Sequence, residues 1–85
     1  GEEFIVLLPA TQLAEAAVLA ERLRRRVQGT PLVHDQQHIQ VTVSLGASVI
    51  SLADASADAV LVRADQALYV AKSAGRNMLR LSPPP

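Results

Sequence analysis

The sequence predicts an α+β or α/β fold, and three observations support this. Two stretches repeat apolar residues at three- and four-residue steps, as helices with one buried face do. Between them, residues 39–49 alternate apolar and polar positions, as a half-buried strand does. A continuous apolar run precedes the first helix, and a shorter one follows the second. The predicted order is strand, helix, strand, helix, strand, with helices on one face of a sheet whose strand order stays open.

The first two elements have clear boundaries in the sequence. Residues 4–8, Phe-Ile-Val-Leu-Leu, are all apolar and are followed by Pro9, which predicts a central strand buried on both faces. Thr11 is placed to cap the first helix. Gly29 and then Pro31 are stop signals, so this helix should end near residue 28.

The remaining elements follow from turn residues and periodicity. Residues 31–38 indicate a loop or a short irregular hairpin, and residues 39–49 a long strand in which Gly46 marks a bulge or a close backbone approach. A second helix should begin after Ser56 and end at Gly75, before a last strand over residues 78–81. We expect residues 1–82 to form the folded unit and residues 83–85, three prolines, to be a tail.

Composition excludes several classes of function. Eight acidic and eight basic residues give a formal charge of zero, so nucleic acid is not an expected partner. There is no cysteine, which excludes disulfides and thiolate metal sites and fits a cytoplasmic location. No apolar run reaches the roughly eighteen residues of a membrane span, so this segment should make no membrane contact. One Phe, one Tyr and no Trp predict a thin core.

Two adjacent carboxylates, Glu2 and Glu3, stand at the start of the first apolar run. Neighbouring acids repel each other, so a position against a hydrophobic strand favours a neutralising cation. Carboxylate oxygens suit Mg²⁺, which usually takes one or two of them together with water and phosphate oxygens. The alternative interpretation is a solvated turn.

Two cations, Lys72 and Arg76, flank the end of the second helix within the stretch KSAGRN. Together they could hold a triphosphate, lysine as a point charge and arginine as a fork. The alternative is that they complement the helix dipole. Asp65 and Tyr69 share a helical stripe with Lys72, for which a plain exposed face is the preferred interpretation.

Two histidines, His34 and His38, have a spacing that would seat a metal on a helix, but they fall in the predicted loop and are expected to be solvated. Nucleophilic catalysis has no candidate residue, and neither a Walker loop nor a GxGxxG fingerprint is present.

Three stretches in this order resemble the second half of a GGDEF domain, the diguanylate cyclase family: GEEFIVLLPAT at 1–11, VTVSLGAS at 41–48 and RADQALYVAKSAGRN at 63–77. The resemblance implies an α+β, ferredoxin-like, polymerase-palm-like (nucleotidyl cyclase) fold, present here in part as β-α-β-α-β with a mixed sheet. It also implies that two GTP molecules, one on each of two facing domains, condense to cyclic di-GMP and pyrophosphate. A homodimer is therefore expected for catalysis in this bacterial second-messenger signal transduction.

The resemblance assigns roles to the acidic motif. Gly1 would allow close approach of GTP, and Glu2 would be the ligand of Mg²⁺ (or Mn²⁺) and the activator of the attacking 3′-hydroxyl. Glu3 would be a supporting catalytic acid.

The same resemblance assigns phosphate contacts to Lys72 and Arg76. Arg22 falls where some family members have an arginine that helps to bind product as an inhibitor.

The first half of the family's domain is absent from these 85 residues. We therefore expect the isolated fragment to be inactive, to have open sheet edges, and to associate or swap elements through them. A second hypothesis is a regulatory GGDEF module that binds GTP, or pairs with a phosphodiesterase domain, without catalysis.

Overall fold

Two helices and four short strands make up the described part of the chain, residues 3–84 of a computed structural model. In chain order the elements are α1 (Leu13–Gln28), β1 (Leu32–His34), β2 (Gln37–Ile39), β3 (Leu45–Ala47), α2 (Ala57–Ser73) and β4 (Leu79–Leu81). Helices and strands are both present, as predicted. Within these residues, however, the strands form two separate two-stranded sheets, β1 with β2 and β3 with β4, and not one mixed sheet.

The helix α1 begins slightly later than predicted. Its N-cap is Gln12, which makes no capping hydrogen bond through its side chain. The Thr11 hydroxyl donates to the Pro9 carbonyl oxygen at 2.9 Å, so it closes the preceding turn and not the helix. Gly29 ends the helix as predicted, and its N–H donates to the Arg25 carbonyl oxygen at 2.9 Å.

A hairpin follows α1, which confirms one of the two structures predicted for residues 31–38. Strands β1 and β2 are antiparallel, with Val33 opposite His38. Asp35 and Gln36 have φ angles of 50° and 66°. Two successive positive φ angles are typical of the two-residue turns whose twist matches that of a hairpin.

The prediction of one long strand over residues 39–49 is wrong. Ile39 belongs to β2, residues 40–44 are irregular, and only Leu45–Ala47 form β3. Strand β3 is parallel to β4, with Leu45 paired with Leu79. Alternation is a pattern of side chains, whereas a strand also needs a partner for its backbone groups, and β4 supplies a partner for three residues.

The prediction of a buried central strand at residues 4–8 is also wrong. No strand of the described chain pairs with this segment, which is irregular in the structure. Its side chains are exposed, Phe4 at 84% and Leu7 at 81%. An apolar run becomes a buried strand only where other strands and helices cover it, and within residues 3–84 none does.

Gly46 lets the helix α2 lie directly against β3. A Cβ atom at this position would clash with the Ala64 carbonyl oxygen and the Leu68 nitrogen, and would come within 2.8 Å of the Leu68 Cα. Nearby, the Ser48 hydroxyl donates to the Val60 carbonyl oxygen at 2.7 Å. The predicted close backbone approach at Gly46 is confirmed, and the approaching backbone is that of α2.

The core of the described residues consists of two alanines of α2. Ala67 is 7% exposed and Ala71 is fully buried. Alanine adds little volume, so it permits the short distance between helix and strand that Gly46 requires. The predicted thin core is confirmed for this part of the chain. Neither α1 nor α2 combines the length and apolar character needed to cross a membrane.

An ion pair between Asp54 and Arg63 fixes the turn before α2. The Arg63 guanidinium donates to both carboxylate oxygens of Asp54, and Nη2 also donates to the Val49 carbonyl oxygen at 2.7 Å. The side chain of Asp54 is 5% exposed and that of Arg63 is 15% exposed. Hydrogen bonding from Arg63, with a second bond from the Ser51 N–H, lowers the pKa of Asp54. Arg63 therefore ties the end of the β3 segment and the following turn to α2.

Replacing Gly46 by alanine should destabilise the protein strongly. The added methyl group meets helix backbone, which cannot rotate away, so we expect a loss of about 3 kcal/mol in the free energy of unfolding, the upper end for overpacking. Urea unfolding followed by circular dichroism measures this loss. The matched control is Gly29→Ala, where φ is −84° and the nearest atom is the Arg25 carbonyl oxygen at 3.3 Å. Equal losses in the two variants would contradict the packing described for α2.

Stability should fall at acidic pH through Asp54. Because the pKa of Asp54 is lower in the folded protein than in the unfolded chain, its ionised form stabilises the fold at pH values above about 4. This contribution is lost as the pH falls further and the carboxylate takes up a proton. The variant Asp54→Asn should be less stable at pH 7 and should lose stability less steeply between pH 5 and pH 2, values chosen to bracket the titration. The exposed Asp65→Asn is the control, and an unchanged acid slope in Asp54→Asn would contradict the assignment.

Candidate functional site

Glu3, at the start of the described chain, lies next to the end of α2. Gly1 and Glu2 fall outside the described residues, so the predicted roles of both remain predictions. Glu3 is described: its Oε2 atom lies 3.1 Å from the Nζ atom of Lys72, which is 69 residues away in the sequence. The Glu3 side chain is 53% exposed and that of Lys72 is 36% exposed. An acid and a cation that the sequence places at opposite ends of the chain thus meet at the surface.

Lys72 owes its position to the packing of α2. Its neighbour Ala71 is fully buried, whereas Lys72 is half-buried at the edge of the helix face that packs on the strands. Asp65 and Tyr69 share its side of the helix but are exposed, Tyr69 at 72%. Among residues 3–84 the ion-pair partner of Lys72 is Glu3 and not Asp65, which agrees with the plain exposed face preferred for this stripe.

Arg76 lies in an unusual turn that follows α2. Ala74 is the C-cap, and the predicted terminator Gly75 has a φ of 122°. Arg76 and Asn77 continue in the left-handed region, with φ angles of 64° and 50°. The Arg76 N–H donates to the Ala71 carbonyl oxygen at 2.9 Å, the bond that closes a Schellman motif. The turn therefore presents the exposed Arg76 side chain immediately beyond the helix end.

A polar network that was not predicted from the sequence also holds this turn, through Arg24 of α1 and Ser44. Arg24 of α1 donates through Nη1 to Oδ1 of Asn77 at 2.9 Å, and the Asn77 N–H donates to the Ser44 hydroxyl at 3.1 Å. Glu21 in turn fixes the Arg24 guanidinium: Nε donates to Oε2 of Glu21 at 3.0 Å, and Nη2 donates to Oε1 at 2.5 Å. Hydrogen bonding from Arg24 lowers the pKa of Glu21, so the pair stays ionised at neutral pH. The only sequence signal was the three-residue spacing of Glu21 and Arg24.

Arg22 lies on α1 and contributes to a groove whose lining does not include Glu3, Lys72 or Arg76. This shallow groove lies between α1 and β4, has a volume of about 480 Å³ and is also lined by Glu21, Arg25, Leu79 and other residues. No hydrogen bond or ion pair within the described chain joins Arg22 to Glu3, Lys72 or Arg76. Its proposed part in product binding stays a prediction.

The histidines do not form a metal site. His34 and His38 lie on different strands of the hairpin, where Val33 and not His34 is opposite His38. Both histidines are exposed, as predicted. Residues 3–84 contain no cluster of three or more histidine, aspartate or glutamate side chains arranged to hold a metal ion. In this part of the chain Glu3 is the remaining candidate for a metal ligand at the site.

Comparison with known proteins places these features in a family. The family described as Diguanylate cyclase, GGDEF domain, matches residues 1–78. The response regulator PleD of Caulobacter vibrioides is 43% identical over 79 residues, which cover 91% of this chain and 17% of that protein. The chain therefore spans less than a fifth of this relative.

Two solved GGDEF or GGEEF domains superpose on the fold of this chain. The GGDEF domain of DgcB from Caulobacter crescentus, in complex with c-di-GMP, superposes with a TM-score of 0.83 at 28% identity, over 88% of this chain and 44% of that chain. The active GGEEF domain of a diguanylate cyclase from Vibrio cholerae gives a TM-score of 0.77 at 33% identity, over 88% and 47% of the two chains. The α+β fold predicted by resemblance is confirmed, and the chain corresponds to about half of each solved structure. Because the family match extends over most of its residues, this chain belongs to the GGDEF family of diguanylate cyclases.

Proposed function

We propose that this chain is part of the catalytic domain of a diguanylate cyclase, which condenses two GTP molecules into cyclic di-GMP and pyrophosphate. The observation that carries the proposal is the contact of 3.1 Å between Glu3 and Lys72. It joins the acidic motif to the helix end that carries Lys72 and Arg76, so one nucleotide could meet both. Residues 1–4, Gly-Glu-Glu-Phe, are identical to the last four residues of the GGEEF motif after which the active Vibrio cholerae domain is named. The GGDEF domain of DgcB was solved in complex with c-di-GMP.

The basic residues would bind the phosphates of GTP. Lys72 has a compact ammonium group with three donors, whereas Arg76 offers a planar fork that can bind two oxygens of one phosphate. Both are accessible, and Lys72 gives up only an exposed ion pair to make a new contact. Cations at this position would neutralise the charge that develops on the leaving pyrophosphate.

The acidic residues fit a divalent cation of the kind the family implies, Mg²⁺ or Mn²⁺. Mg²⁺ is normally held by one or two carboxylates, with its other ligands coming from water and phosphates, and the oxygens of Glu2 and Glu3 provide that donor set. When bound, such a cation would neutralise negative charge on the reacting phosphates. Glu2 would be its ligand and would help to activate the attacking hydroxyl, and Glu3 would support it.

The proposed reaction is a double phosphoryl transfer. In each half, the 3′-oxygen of one GTP forms a bond to the α-phosphorus of the other, the bond from that phosphorus to the pyrophosphate oxygen breaks, and the 3′-hydroxyl proton is released. Each domain supplies one GTP, so a homodimer is part of the proposal. A cytoplasmic location is part of it too, supported by the absence of cysteine.

The 85 residues by themselves would be inactive and prone to associate. Phe4, Ile5, Val6 and Leu7 are each at least 70% exposed, an apolar run of the kind that pairs with strands of other molecules. Each strand of the described chain also has one edge that no other described strand covers. These features support the expected association. The proposed inactivity is supported by the coverage, since the chain corresponds to less than half of each solved GGDEF domain.

The full-length protein that carries this chain should make cyclic di-GMP from GTP and Mg²⁺. Glu2→Ala and Glu3→Ala should each lower the rate by about 100-fold or more, the range expected for loss of an activating acid or base. Chromatographic quantification of cyclic di-GMP measures the rate, with Glu15→Ala, an exposed acid of α1, as the control. GTP binding without any product would instead favour a regulatory module.

Replacing Lys72 by alanine should weaken nucleotide binding much more than it weakens the fold. The Glu3 contact is exposed, and such pairs contribute no more than about 1 kcal/mol to stability. Loss of a charged contact to phosphate should lower affinity by about tenfold or more. Calorimetric titration with a GTP analogue that has a methylene group between the α and β phosphorus atoms separates binding from reaction. Unchanged affinity in both Lys72→Ala and Arg76→Ala would contradict the phosphate assignment.

A further inference from the structure

The turn that carries Arg76 is held in a conformation that its own residues disfavour. Gly75 adopts a positive φ freely, but Arg76 and Asn77 follow with φ angles of 64° and 50°. The left-handed conformation is unfavourable for an ordinary side chain such as that of Arg76, and less so for asparagine. Two such residues in succession persist only where their surroundings fix them.

Three elements fix this turn at separate atoms. From α2, the Ala71 carbonyl oxygen accepts the Arg76 N–H at 2.9 Å. From the segment leading into β3, the Ser44 hydroxyl accepts the Asn77 N–H at 3.1 Å, and the Leu45 N–H donates to the Met78 carbonyl oxygen at 2.9 Å. The remaining contact comes from α1 through the side chain of Arg24.

Of these contacts, the one from Arg24 to Asn77 spans the most residues, 53, compared with 33 from Ser44 to Asn77. Arginine has donors only, so the Asn77 atom that faces Nη1 at 2.9 Å is the amide oxygen. Arg24 cannot swing freely to other partners, because Glu21 accepts from its Nε and Nη2 atoms and Gln28 accepts from Nη1 at 3.2 Å. Its side chain is only 16% exposed. The guanidinium thus connects a fixed carboxylate on α1 to the residue next to Arg76.

We propose that Arg24 is a positioning residue, which holds Asn77 and thereby aims the Arg76 side chain at the phosphates of the bound nucleotide. This inference rests on the proposed function of Arg76. Arg24 touches neither Glu3 nor Lys72 by any hydrogen bond or ion pair within the described residues, so its effect on the nucleotide passes through the turn. The other arginines nearby differ: Arg25 is 74% exposed, and Arg26 has an exposed side chain.

The test replaces Arg24 by methionine in the full-length protein and measures the affinity for the α,β-methylene analogue of GTP. We expect affinity to fall roughly tenfold, the loss expected when a charged contact to phosphate is no longer properly placed. Arg26→Met, the same change two positions along α1, is the control and should leave affinity unchanged. Glu21 keeps a partner in the variant, because the Nε atom of Arg25 lies 3.2 Å from its Oε1 atom.

A purely structural role would give a different pattern. It would lower the midpoint of thermal unfolding without changing affinity in the folded protein. If Arg24→Met fails to fold, Asn77→Gly tests the same link. Glycine keeps the positive φ and removes the side-chain oxygen that accepts from Arg24 at 2.9 Å, so only the longer contact of 3.5 Å from Arg24 Nη1 to the backbone carbonyl oxygen is left. Asn77→Gly should weaken binding to a similar extent.

The double variant Arg24→Met with Arg76→Ala separates the two proposals. If Arg24 acts through Arg76, the double variant binds no more weakly than Arg76→Ala alone. Additive losses, or an unchanged affinity in Arg24→Met and Asn77→Gly while Arg76→Ala weakens binding, would overturn the positioning role alone. If Arg76→Ala itself leaves affinity unchanged, the phosphate-binding role of Arg76 fails, and the positioning role fails with it.

Discussion

The close approach of α2 to β3 is the constraint on which the rest of the described structure depends. Gly46 lacks the side chain that would separate the two backbones, and the buried side chains of α2, Ala67 and Ala71, are small. Because the buried area is small, the hydrophobic contribution is modest and the geometry is set by backbone contact. This contact fixes the rotation of α2, with Ala71 inward and Lys72 at the rim. The same helix then ends in the turn that leads into β4, which pairs with β3.

Local signals in the sequence predicted the helices well. Ser56 is the N-cap residue of α2 as predicted, but its side chain makes no capping hydrogen bond, and Gly75 follows the C-cap Ala74 with a positive φ, as expected of a terminator. Strands were predicted less well, because a strand depends on backbone partners that lie far away in the sequence. Alternation over residues 39–49 did not reveal which backbones pair, so a hairpin strand and a short parallel strand were merged into one. The apolar run at residues 4–8 failed as a strand for the same reason. The alternation did not give the burial either, since Ile39 is exposed and residues 43–49 are all partly buried.

The candidate site shows the same limit. No spacing rule links Glu3 to Lys72 across 69 residues, and only the family resemblance suggested that they belong to one site. Arg24 was overlooked because a basic residue in the last turns of a helix already has a local explanation in the helix dipole. Its contact with Asn77 spans 53 residues and appears only in the folded chain. Interactions at such distances follow from the packing of α1, α2 and β3 together.

The ion pair between Glu3 and Lys72 also bears on how the proposed site would accept its substrate. In the described structure the two charges neutralise each other at the surface, where such a pair contributes little to stability and exchanges easily with water. A triphosphate arriving alone would compete with Glu3 for Lys72 and would be repelled by the nearby carboxylate. If the carboxylates hold a divalent cation instead, Lys72 is free for phosphate and the repulsion is removed. In the proposed site, binding of cation and nucleotide should therefore reinforce each other, which follows from charge alone and requires no movement of the helices.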